Sequence, residues 1–82
     1  MTETALKAPF PGVFYRSPSP DDAPFLEEGQ AITAGDTIGL LEVMKQFSEI
    51  PAEVSGTVVR FVVEDEAVVE AGQTLLIVAS DE

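Results

Sequence analysis

Two stretches of this chain repeat each other, and in 82 residues that repetition leaves few ways to fold. Gly12-Val13-Phe14-Tyr15-Arg16 returns as Gly56-Thr57-Val58-Val59-Arg60, and the run from Ala31 to Ile38 returns, with one inserted residue, from Ala67 to Leu75. Such self-similarity marks architectures whose units cannot bury an apolar face alone. Two halves this short must share one core, packed about an approximate two-fold axis. The repeats are unequally spaced. Gly12 to Ala31 is 19 residues (31 − 12), whereas Gly56 to Ala67 is 11 (67 − 56), so the first half carries eight extra residues.

The extra residues fall in the stretch from Ser17 to Glu28, where Pro18, Pro20 and Pro24 exclude a helix or a central strand and Asp21, Asp22, Glu27 and Glu28 are hydrophilic. Phe25 and Leu26 are the exceptions, and they are expected to pin this excursion onto the core. Elsewhere the chain reads as short strands bounded by turn residues. Residues 1–7 read as a flexible tail, and Val13 to Arg16 as a short strand at a sheet edge. Ala31-Ile32 is a brief apolar step, and Thr37 to Val43 and Phe47 to Ile50 follow as strands. A turn is expected at Ser55-Gly56, then strands at Thr57 to Val63, Ala67 to Val69 and Thr74 to Ala79, with 80–82 as a polar end. No helical periodicity competes. The predicted fold is an all-β sandwich or flattened barrel spanning residues 8–79.

Composition removes whole classes of function. With no histidine and no cysteine, the chain cannot assemble a Ser-His-Asp triad, a disulfide or a conventional zinc site. The acidic clusters lack the glycine and ligand spacing of an EF-hand loop. We therefore expect no catalytic residues and no metal. A net charge of −11 disfavours nucleic acid and anionic membranes, whose binding relies on Lys and Arg. No signal peptide, transit peptide or membrane-crossing apolar run is visible, so the expected location is cytoplasmic.

One residue stands out against this background. Lys45 is one of two lysines, and Met44-Lys45 falls where strand-like residues stop at Val43 and resume at Phe47. Two-residue hairpin loops favour Asn-Gly or Asp-Gly because they need positive φ, and Met-Lys offers neither. Local rules broken in an otherwise consistent sequence mark functional sites. Two registers are open: a turn centred on Met44-Lys45 pairs Glu42 with Phe47, while a shift by one pairs Met44 with Phe47 and sets Glu42 opposite Glu49. Met44 reads equally as hairpin packing or as a partner contact, and Phe47 reads mainly as core.

Glu42-Val43-Met44-Lys45 resembles the Glu-Ala/Val-Met-Lys attachment motif of the biotinyl domains of biotin carboxyl carrier proteins. Ala8-Pro9, Gly12 to Pro18 and Ser55-Gly56-Thr57-Val58 are similar to other blocks of that family, at fitting separations over residues 8–79. The resemblance implies a flattened barrel or sandwich of two antiparallel four-stranded sheets with quasi-two-fold symmetry, the modified lysine sitting on a hairpin tip. The excursion at 17–28 resembles the thumb of carriers from multisubunit acetyl-CoA carboxylases, which folds over the biotin headgroup and makes Ser17 a candidate contact. Gln46 departs from the usual Met after the lysine. The sequence opens directly on this domain, ahead of which many such carriers have a segment that associates with a partner subunit.

The resemblance further implies that a biotin protein ligase joins biotin to Lys45 through an amide. Glu42, Val43, Met44 and Gln46 would flank the attachment point. Biotin carboxylase would then load a carboxyl group on the ureido nitrogen and a carboxyltransferase would pass it to an acyl-CoA, acetyl-CoA being favoured by the thumb. The chain would be a non-catalytic carrier serving fatty acid synthesis. A carrier for another acyl-CoA carboxylase is the nearest alternative. A lipoyl carrier of a 2-oxo acid dehydrogenase complex would more usually read Asp-Lys-Ala/Val, and an unmodified binding module would have no need of Lys45.

Overall fold

The computed structural model describes residues 2–19 and 21–80. Among these are eight strands and no helix: β1 (Thr2–Lys7), β2 (Gly12–Tyr15), β3 (Ala31–Ile32), β4 (Thr37–Val43), β5 (Gln46–Pro51), β6 (Gly56–Phe61), β7 (Ala67–Val69) and β8 (Thr74–Ser80). They form two four-stranded sheets, ordered β1-β8-β6-β3 and β5-β4-β2-β7. Every pairing is antiparallel. The sheets remain separate, so the architecture is a sandwich rather than a closed barrel.

The repeat becomes a symmetry operation. Exchanging β1 with β5, β2 with β6, β3 with β7 and β4 with β8 turns the order of one sheet into that of the other. The loops obey the same rule. Gly35 donates its N–H to the Ala52 carbonyl and Gly72 donates to that of Ala8, each glycine having the positive φ that a side chain would penalise. Between the sheets lie Phe14, Ile38, Leu41 and Val69 from one half of the sandwich and Leu6, Val58, Leu75, Leu76 and Val78 from the other. At about 1.5–3 kcal/mol per large apolar side chain buried, this shared core is what neither half could supply alone.

Five expectations need correction. The expected tail begins the fold instead: Thr2–Lys7 pairs along β8, and Leu6 at its end is only 2% exposed. Ser80, expected in the polar end, closes β8; Met1, Asp81 and Glu82 lie outside the described residues. The β2 strand is interior, hydrogen-bonded to β4 on one side and β7 on the other, just as its repeat mate β6 is to β8 and β3, so its place follows from the two-fold symmetry. Gly56 is a strand residue rather than half of a turn. A Cβ there would sit 2.3 Å from the Ala79 carbonyl oxygen, so glycine is what lets β6 and β8 approach. Finally, Phe47 is not core: it points out of the sandwich and is 57% exposed.

Candidate functional site

The hairpin β4–β5 builds the site. Its strands pair Glu42 with Phe47 and Val43 with Gln46, which is the first of the two registers open in the sequence, and Met44-Lys45 is left as a two-residue connection. Both connecting residues have positive φ, 52° for Met44 and 66° for Lys45. That combination defines the turn type whose twist suits a two-residue hairpin, and it normally selects Asn-Gly. Met and Lys adopt it at a steric cost, because their Cβ atoms crowd the following carbonyl.

The tip projects chemistry outward. Lys45 is exposed, and among the described residues its side chain has neither an ion-pair nor a hydrogen-bond partner. Met44 is 91% exposed, which decides against a packing role in the hairpin. Val43 and Gln46 are exposed as well, so an enzyme can approach the amine with little obstruction.

Below the tip the hairpin is held to β2 by a contact that the sequence does not announce. The Tyr15 hydroxyl donates to Glu42 Oε1 at 2.7 Å, and the Tyr15 ring meets that of Phe47 at 5.7 Å between centroids, tilted by 51°. Glu42 is therefore tied to β2 and supports the hairpin. Its hydrogen bond raises the Tyr15 phenol above its ordinary value, and partial desolvation and the negative charges of Glu42, Glu66 and Asp65 act in the same direction. The available signal was the alternation in β2, which puts Val13 and Tyr15 on the face opposite Phe14.

The excursion leaves β2 beside this cluster. Its neck closes where Phe25 N–H donates to the Arg16 carbonyl, and Leu26, 3% exposed, anchors it in the core with Phe25 packed alongside, as the sequence implied. Arg16 braces the base: its guanidinium stacks 3.8 Å above the Phe61 ring, and its backbone N–H donates to Asp65 Oδ1 at 2.8 Å. Between the excursion and the hairpin is an open cleft of about 170 Å3, lined by Tyr15, Ser17, Pro18, Ser19, Phe47 and the turn residues Asp65 and Glu66. Ser17 and the hairpin thus meet at one cleft. Among the described residues no cluster of carboxylates is arranged to hold a metal ion.

A family model described as "Biotin-requiring enzyme" matches residues 4–78. The chain is 43% identical over 70 residues to the biotin carboxyl carrier protein of acetyl-CoA carboxylase from Pseudomonas aeruginosa, covering 85% of this chain and 45% of that one. It is 39% identical over 74 residues to the chloroplastic biotin carboxyl carrier protein of acetyl-CoA carboxylase 2 from Arabidopsis thaliana, covering 90% and 29%. This chain thus spans less than half the length of either relative. Its fold is similar to part of a single-chain, multi-domain long-chain acyl-CoA carboxylase, with a TM-score of 0.78 and 28% identity over 98% of this chain and 7% of that one.

Proposed function

This chain belongs to the biotin-requiring enzyme family, and from that premise we propose that it is a biotin carboxyl carrier domain whose Lys45 bears biotin in amide linkage and serves an acetyl-CoA carboxylase. The observation that carries the proposal is the tip itself. An exposed lysine, unpartnered among the described residues, occupies a turn conformation that disfavours it sterically, between strands whose register holds the turn in place. A solvated surface lysine has no need of such a position.

The fit to the group is good. Lys45 offers an amine, Val43, Met44 and Gln46 leave it open to a ligase, and Ser17, Ser19, Tyr15 and Phe47 offer hydroxyls and aromatic surface to a bicyclic headgroup. Bound biotin supplies the chemistry, accepting a carboxyl group on a ureido nitrogen at one enzyme and releasing it at another. The protein contributes presentation. The sandwich keeps the hairpin rigid, Tyr15 fastens Glu42, and Lys45 holds the arm where it raises the group's effective concentration at each partner. The chain itself is proposed to be non-catalytic, with biotin protein ligase, biotin carboxylase and carboxyltransferase as partners and a cytoplasmic location. Among the described residues, no helix is long and apolar enough to cross a membrane.

The test is the intact mass of the protein after incubation with biotin, ATP and a biotin protein ligase. A single biotin adduct on the wild type and none on Lys45→Arg is expected. No adduct on folded protein, with a control domain modified in parallel, would sink the proposal and make lipoylation the next trial.

A further inference from the structure

The cleft beside the hairpin has a charge that the proposed function leaves unused. Its lining includes Asp65 and Glu66, and Glu42 lies next to it through the Tyr15 hydroxyl. These positions are fixed rather than incidental. Asp65 Oδ1 accepts the Arg16 N–H, and Glu66 is held at a φ of 65° with its own N–H donated to the Phe14 carbonyl. Among the described residues, no cation lines the cleft to balance them. Arg16, which adjoins the lining residues Tyr15 and Ser17, is committed to the Phe61 ring, and its Nε is buried without an acceptor among the described residues.

The cleft is within reach of Lys45. Phe47 in its wall is about 7 Å along β5 from Lys45, and an extended biotinyl-lysine arm spans roughly 12 Å from Cα to the ring system. A headgroup on that arm can therefore fold back against Ser17, Ser19, Tyr15 and Phe47. While the ureido ring is neutral, the surrounding carboxylates impose no Coulombic penalty. Carboxylation replaces the hydrogen of one ureido nitrogen with a carboxylate: bicarbonate and ATP are consumed, ADP and phosphate are released, and the ring gains one negative charge. That charge would then sit within a few ångströms of Asp65 and Glu66.

Resting on the carrier reading, the geometry points to a charge-sorting cleft: it holds the neutral headgroup and expels the carboxylated one, so that loading itself frees the arm to travel. Like charges at such separations at a protein surface shift an equilibrium by about tenfold. The neutral group would be retained until it is withdrawn into a partner. The carboxylated group would stay out until unloaded.

The experiment follows the backbone amide resonances of Ser17, Ser19, Phe47 and Glu66 in three states of the intact chain, with intact mass reporting the modification. Biotinylation of Lys45 is expected to shift these resonances, and subsequent carboxylation by biotin carboxylase with ATP and bicarbonate to return them toward their unmodified positions. The variant is Asp65→Asn combined with Glu66→Gln, in which the new carboxamide at the first position keeps an oxygen to accept from the Arg16 N–H. There the shifts should persist after carboxylation, the bound fraction rising about tenfold over wild type. Raising the salt concentration should narrow the wild-type difference. A biotin adduct that leaves the cleft resonances unmoved would overturn the cleft while sparing the carrier reading. So would shifts that survive carboxylation equally in wild type and variant. Absence of any adduct would overturn both.

Discussion

Replacing Met44-Lys45 by Asn-Gly should stabilise the domain while abolishing the proposed attachment site. Met44 and Lys45 sit at φ values of 52° and 66°, and the left-handed region costs an L-residue with a full side chain about 1–2 kcal/mol. The pair therefore stores roughly 2–4 kcal/mol. Met44→Asn recovers part of this because Asn tolerates the region, and Lys45→Gly recovers its share in full. Glycine's freedom in the unfolded chain takes back about 0.5–1 kcal/mol. Little else is lost, since Met44 is almost wholly exposed and the Lys45 side chain has no partner among the described residues. The net expectation is a gain of about 1–2 kcal/mol, a rise of at least about 4 °C in Tm for a domain of this size. Urea and thermal unfolding of wild type, each single variant and the double variant would measure it, with unchanged m-values guarding against altered end states. An unchanged or lowered midpoint, with hydrogen exchange showing the Glu42–Phe47 and Val43–Gln46 pairing intact, would refute the idea that the tip is held under strain.

Leu6→Ala should destabilise the fold by about 2–5 kcal/mol in denaturant unfolding, because Leu6 closes the core from β1; a neutral result would restore residues 1–7 to the status of a tail. Gly56→Ala should cost about 1–3 kcal/mol, since its new Cβ meets the Ala79 backbone, which can yield only by moving β8. Tyr15 is the sole tyrosine in a chain without tryptophan, so tyrosinate absorbance reports it directly. Its titration midpoint should lie above the ordinary value of 10.0 and fall back toward it in Glu42→Gln, which weakens the hydrogen bond and removes a nearby charge. Because the folded state binds this proton more tightly than the unfolded state, the associated stability is fully present below pH 10.0 and declines as pH rises through the folded midpoint. Tyr15→Phe should remove that alkaline decline.

The all-β class, most strand positions and the projecting lysine were legible in the sequence because each rests on local pattern, whereas the hairpin register was open between two pairings until the backbone fixed Glu42 opposite Phe47. The role of β1 was not legible. Thr2-Glu3-Thr4 is polar and Lys7 is charged, as suits an edge strand with one solvated face, so its composition alone reads as tail. The signal lay in the repeat: the offset that maps Gly12 onto Gly56, 44 residues (56 − 12), also maps Leu6 and Ala8 onto Ile50 and Ala52, all four of which are buried. Phe47 was misplaced for the opposite reason. Aromatic residues at strand positions are usually interior, but the Glu42–Phe47 pairing commits this one to the outer face, where Tyr15 meets its ring. The cleft was hidden because it joins Ser17, Phe47 and Glu66, residues that only the tertiary fold brings together.

The pairing of β8 with β1 has a consequence for how the domain is connected. The symmetry that maps β4 and β5 onto β8 and β1 sets Ser80 opposite Thr2 where Val43 faces Gln46. At that spot the hairpin's mate is an open gate instead of a loop. It stands beside Ala34, near where β4 begins, whereas Lys45 stands where β4 ends. Any polypeptide attached at either side of the gate would leave by the stern while the lysine rides at the prow. Closing the gate with a Met-Lys pair, and reopening the circle elsewhere, would give a vessel with two prows and an exposed lysine at each.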